Sequence, residues 1–151
     1  NSISIDHIEK IIPYFYGQGD DSIRYSVVIG SRRIDGANIA IRQPFYRKIF
    51  SRLGSKFIRF IVASGIIDAQ CDFKCFTDKA TRSVFMRGMI DGWAFDVEAL
   101  VIVRFLRRYK IKEVPVKWMN NLDSRATLKV YFLILMEIIK IRINIWRGLY
   151  K

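Results

Sequence analysis

The 151 residues carry 26 Lys and Arg against 14 Asp and Glu, a formal charge of +12, and 51% of them are hydrophobic. Such a composition excludes a disordered tail and suits one domain with a real core. The charge calls for a polyanionic partner, whether nucleic acid, an anionic membrane face or phosphorylated ligands, without choosing among them.

The first residue is Asn1 and helical periodicity begins at once, so the chain reads as a piece of something longer. Ser4 is placed to cap a helix with Asp6 in its first turn and Ile5, Ile8, Ile12 and Phe15 on its buried face, ended or bent by Pro13. Gly17 to Asp21 reads as a turn. Tyr25 to Ile29 is a compact β-branched run, suited to a central strand covered on both faces, and Gly30-Ser31-Arg32 ends it. A polar loop from Ile34 to Asn38 turns at Gly36.

From about Pro44 to Ser64, Phe45, Ile49, Leu53, Phe57 and Ile61 recur every four positions and predict a long helix closed by Gly65. Arg52, Lys56 and Arg59 form a basic stripe on it. Asp68 to Thr77 is a loop leading into a short strand, and Asp78 to Met86 a short helix. Phe95 to Arg108 is a nearly all-apolar helix with acids in its first turn and arginines in its last, the signs that the helix dipole favours. Ile111 to Trp118 is a strand that Pro115 assigns to a sheet edge.

After a polar joint, Ala126 to Trp146 forms an amphipathic helix with Lys129, Lys140 and Arg147 on one face, beside Glu137 and Asn144, and Arg142 opposite. Residues 125–151 are thus expected to lie on an interface and 1–124 to form the domain proper. No run reaches the roughly 18 to 20 uncharged residues that span a bilayer. Cys71 and Cys75, with His7 the sole histidine, read as small thiols in a reducing compartment rather than as a zinc site.

Arg47 and Ser51 stand one helical turn apart, and with Arg32 they suit a phosphate monoester, although the residues alone favour a solvated basic face. Asp68 and Gln70 divide between turn capping and a site wall. Asp96 and Glu98, two apart on a helix, point roughly 200° from each other and so form no carboxylate dyad. Trp93 is expected in the core before a site wall.

Two phrases carry a resemblance: Asp68-Ala69-Gln70-Cys71-Asp72-Phe73-Lys74, and Gly92-Trp93-Ala94-Phe95-Asp96-Val97-Glu98. Together they resemble the acceptor-side signature of the family 2 glycosyltransferases that load sugars onto polyprenyl phosphates, Asp-x-Gln-Cys-Gly-Phe-Lys and Gly-Trp-x-Phe-Asp-x-Glu. Asp72 departs from it, standing where a glycine is usual. The resemblance implies the C-terminal half of a GT-A, Rossmann-like α/β domain that moves glucose or mannose from a nucleotide-diphosphate sugar to a polyprenyl phosphate.

It further implies that Arg32, Arg47 and Ser51 bind the acceptor phosphate, that Asp68, Gln70, Asp96 and Glu98 line the reacting groups, and that Lys74 and Arg125 reach the donor diphosphate. A divalent metal, Mg or Mn, is implied on an Asp-x-Asp motif preceding Asn1, outside this chain, so the chain by itself is expected to be inert. The implied setting is peripheral, at a cytoplasmic membrane face, without nucleic acid. The ending Trp146-Arg147-Gly148-Leu149-Tyr150 looks more like the dolichyl-phosphate glucosyltransferase type. The competing reading is a non-catalytic basic module for membrane surfaces or nucleic acid. The transferase reading requires that Arg32, Arg47 and Ser51 share one hollow with Asp68 and Gln70.

Overall fold

The computed structural model describes residues 7–39, 56–58, 60, 65–118 and 128–151. In chain order these form α1 (His7–Tyr16), β1 (Val27–Ser31), β2 (Asn38–Ile39), β3 (Lys74–Phe76), α2 (Asp78–Phe85), α3 (Phe95–Leu106), β4 (Ile111–Pro115), β5 (Lys117–Trp118) and α4 (Leu128–Trp146). The arrangement is mixed α/β, a partial Rossmann-like fold, as the sequence leads one to expect.

Strand β1 is central because every residue in it is apolar or small and all five are buried. It pairs with β3 antiparallel, Val27 opposite Phe76, and with β4 in parallel, from Val27 beside Ile111 to Ser31 beside Pro115. Alternation sends Val27 and Ile29 into the main core with α3, while Val28 meets Ile11 of α1 and Val114 on the other face. Pro115 falls at the last paired position of β4, which is an edge strand of the described sheet. Gly30 lets the chain close over the strand end, since a Cβ there would lie 2.8 Å from Val116 Cγ1 and 3.1 Å from Cys71 Sγ.

Expectations for α1 and α4 need correction. On α1 the buried residues are His7 and Ile11, whereas Ile8 and Ile12 are exposed. A polar anchor decides the face: the Lys117 backbone N–H donates to His7 Nε2 at 3.1 Å, and hydrophobicity by itself could not foresee it. Pro13 sits within the helix, which continues to Tyr16. Asn144 of α4, expected beside the basic face, is buried and donates to Tyr150 Oη at 3.2 Å.

That bond shows how α4 is seated. Ile138 and Ile141 are fully buried in the main core, with Ile134 and Ile145 packed against it. At Gly148 the backbone turns through a positive φ of 68°, which glycine adopts without strain, and brings Tyr150 back under the helix, also fully buried. The outer side of α4 is also apolar: Phe132, Met136, Ile139, Ile143 and Trp146 are all exposed. No helix among the described residues is long and apolar enough to cross a membrane.

Candidate active site

The loop after Gly65 crosses the C-terminal end of β1, where α/β sheets offer ligands a crevice. Asp68 is buried there beneath Arg32, which follows the strand. The guanidinium grips the carboxylate with two prongs, Arg32 Nε to Asp68 Oδ2 and Nη2 to Oδ1, both at 2.8 Å. The Arg32 backbone N–H also donates to Oδ2 at 2.9 Å, and Nη2 reaches the Gln70 carbonyl at 3.2 Å. Burial disfavours both charges, but the bonds and charge of the partner outweigh it. The Arg32 pKa is raised and the Asp68 carboxyl held below its usual range.

Beneath this pair Glu113 of β4 accepts the backbone N–H groups of Ile67 and Asp68, at 2.9 and 3.0 Å. The loop is therefore fixed from both sides. It continues to Cys71, whose carbonyl accepts from Lys74 Nζ. The same ammonium bonds Asp96 Oδ2 at 2.5 Å, with 6% of the lysine side chain and 19% of the aspartate exposed. This ion pair ties the two signature phrases together.

Asp96 opens onto a cavity of about 470 Å³ lined by Asp72, Asp91, Gly92, Trp93, Phe95 and Asp96. Trp93 is 59% exposed, so the core expectation for it gives way to the wall. Asp72 is exposed and lines the same cavity, and its backbone is not among the positive-φ residues. It is accommodated here without a left-handed conformation, though it takes room that a glycine would leave empty.

Glu98 has the opposite surroundings. It is 1% exposed; Oε2 accepts the Met89 and Ile90 N–H groups at 2.9 Å each, and Oε1 accepts the Tyr150 hydroxyl at 2.6 Å. Burial, then the Glu98 carboxylate, pushes the Tyr150 hydroxyl well above the ordinary tyrosine range. Glu98 thus clamps the loop before α3 and the C-terminal turn of the chain.

Of the candidate residues, Arg32, Asp68 and Gln70 meet at one point, and Lys74 and Asp96 at the next. Glu98 faces the interior, away from Asp96. Arg47, Ser51 and Arg125 lie outside the described residues. Sequence reasoning passed over Asp91, Glu113 and Tyr150. Glu113 left one signal, an acid in the middle of a β-strand. Cys71 and Cys75 are free thiols, with burial raising the pKa of each.

No family model matches the chain. Among curated proteins, a dolichyl-phosphate beta-glucosyltransferase of Trichomonas vaginalis is 34% identical over 128 residues, covering 80% of this chain and 38% of that protein. The Dictyostelium discoideum dolichyl-phosphate beta-glucosyltransferase is 32% identical over 128 residues, 83% of this chain and 38% of its own length. The human one is 38% identical over 80 residues, 52% of this chain and 24% of its own. Over most of its length the chain resembles dolichyl-phosphate beta-glucosyltransferases, which are family 2 glycosyltransferases. It spans less than two fifths of the length of these relatives. The Lys74–Asp96 pair and the cavity beside it are where the two signature phrases meet.

Proposed function

We propose that the whole protein transfers glucose from a nucleotide-diphosphate sugar to dolichyl phosphate at the cytoplasmic face of a membrane, and that this chain supplies the acceptor-side half of its site. The observation that carries the reading is the Lys74–Asp96 pair beside a cavity walled by Trp93, Asp72 and Asp91. A hexose presents hydroxyl donors at its rim and an apolar face, and carboxylates beside an exposed indole complement both.

In the reaction an acceptor phosphate oxygen forms a bond to the anomeric carbon as the bond to the nucleotide diphosphate breaks. The phosphate is already anionic at neutral pH, so no side chain needs to remove a proton from it. The work left to the protein is to align two anions and offset their repulsion. Arg32 stands at the strand end for the acceptor phosphate, joined in this reading by Arg47, Ser51 and, on the donor side, Arg125. Lys74 offsets donor charge while Asp96 orients it. Glu98 acts through the backbone by holding the Met89–Ile90 segment. Among the described residues no three His, Cys, Asp or Glu gather as a metal site requires.

The exposed stripe of α4, from Phe132 to Trp146, would lie in the lipid boundary with Lys129, Lys140 and Arg147 at its edge, facing headgroups. The decisive assay gives the whole protein dolichyl phosphate in vesicles and radiolabelled UDP-glucose or GDP-mannose. Labelled lipid from the glucose donor is expected. Label from GDP-mannose alone would overturn the choice of sugar, and none from any nucleotide sugar would overturn the transferase reading. Residues 1–151 alone are expected to transfer nothing.

A further inference from the structure

The carboxylate of Glu137 leaves α4 on its inner side and reaches the signature turn that forms one wall of the cavity. Glu137 Oε2 accepts the Ala94 backbone N–H at 2.7 Å. Ala94 is the N-cap of α3 and makes no side-chain cap bond of its own; Asp96 Oδ1 accepts the Val97 N–H at 2.7 Å within the first turn, and the Ala94 N–H finds its partner on another helix. The other oxygen lies over Gly92. A Cβ built there would stand 1.8 Å from Glu137 Oε1 and 2.6 Å from its Cδ. No side chain at position 92 is compatible with the glutamate where it is.

The geometry points to Glu137 as a positioning residue for the Gly92–Trp93–Ala94 wall, and to Gly92 being a glycine to admit Glu137 rather than to admit a substrate. The carboxylate suits the place electrically too, since it sits at the positive end of the α3 dipole. Glu137 is half-buried, with Ile138 and Ile141 sunk into the core on the same side of α4. The helix that presents Phe132, Met136 and Ile139 outward therefore holds the cavity wall from behind. Trp93 and Asp96, on either side of Ala94, take their places from this bond. The inference rests on the transferase reading for its kinetic arm only.

The test uses the whole protein and two readouts. Hydrogen exchange at the Ala94 amide reports the bond without any activity: E137A should exchange at least tenfold faster there than the parent, and E137Q, which keeps an acceptor oxygen, should stay near it. For the transferase, E137A is expected to lose about tenfold or more in kcat with KM for the nucleotide sugar changed less, and E137Q to restore most of kcat.

The epistasis is the sharper measurement. G92A should displace the Glu137 carboxylate and lose about as much as E137A, and G92A/E137A should be no worse than E137A, because the glutamate is already gone. Multiplying losses in the double variant would show that a substrate, not Glu137, requires the glycine, and would overturn the proposal. Unchanged Ala94 exchange in E137A would overturn it as well. Absence of sugar transfer by the parent would sink the transferase reading, with the exchange result still deciding the role of Glu137.

Discussion

The two acids in the first turn of α3 are two residues apart and live in different media. Asp96 is part-exposed, shares one lysine and looks onto an open cavity. Glu98 is dry, its two oxygens divided among two backbone amides and a tyrosine hydroxyl. Helix geometry imposes the split, since side chains two apart diverge by roughly 200°. The difference teaches that one signature can serve two surroundings: one acid of Asp-x-Glu faces an open cavity and the other builds the floor.

Removing the floor should have the largest effect. In Glu98→Ala three donors lose their partner, two of them N–H groups around a buried site. Unmet donors of this kind cost about 1–3 kcal/mol each, so the loss is expected on the order of 3 kcal/mol or more. Urea unfolding measures it. If the variant fails to fold, Glu98→Gln, which keeps an acceptor at similar size, should fold with a smaller loss. A Glu98→Ala protein of parental stability would dissolve the distinction between the two acids.

Asp96→Asn should reverse the signature: a small change in midpoint and a transfer rate down by roughly 100-fold, equivalent to about 2.7 kcal/mol of barrier. Steady-state kinetics beside the same urea curve make the comparison. A variant as unstable as Glu98→Ala would show that Asp96 too is structural.

An intermediate effect is expected on the far side of α4. Ile139→Asp places a charge in the middle of the exposed stripe, where no core packing is at stake. Loss of one buried aliphatic side chain is worth roughly 1.5–3 kcal/mol, so vesicle binding should weaken at least tenfold while the unfolding midpoint stays put. A salt series separates this from nucleic acid: membrane binding should persist in part at high salt, whereas binding to nucleic acid falls steeply.

Much of this was legible before any coordinates. An apolar run with acids at its start and arginines at its end located α3, a basic face on an apolar stretch located α4, and the β-branched run of β1 announced a central strand. The juxtaposition of the two signature phrases was legible too, because acids and amides among aromatics have to meet something. The face of α1 was not legible, since His7, Ile11 and Phe15 offer the same four-residue spacing as Ile8 and Ile12, and a single bond to the Lys117 N–H chose between them. Nor was the double life of α4. Its sequence is apolar nearly all round, and periodicity cannot say which side meets the core when both sides are oily. Trp93 misled for a similar reason: an indole fits a core or a sugar equally well, and only its exposure decides.

The smallest predicted effect concerns pH, and it sharpens the contrast at both ends of the scale. Asp68 has its folded pKa below the ordinary 3.8, through the bonds and charge of Arg32 working against burial. Between the folded and unfolded values the unfolded chain holds more protons, so stability rises with pH there and is lost as pH falls below about 4. Asp21, held at about 2 by its bonds to Lys112 and Tyr25, titrates in the same window, so the Asp68 share has to be isolated by Asp68→Asn. That variant should flatten part of the acid limb of a thermal-unfolding series.

Tyr150 has the opposite sign, its folded pKa lying above the ordinary 10.0 through burial and the Glu98 carboxylate. Above about pH 10 the folded chain holds the extra proton, so stability declines as pH rises. Tyr14 and Tyr25 are raised as well, and Tyr150→Phe subtracts only the share that belongs to the Glu98 floor. An alkaline limb identical in that variant would mean that the Tyr150–Glu98 bond exerts no pull on the folded state. The seating of α4 would then rest on its core packing, Ile138 and Ile141 foremost, and on the Glu137 bond.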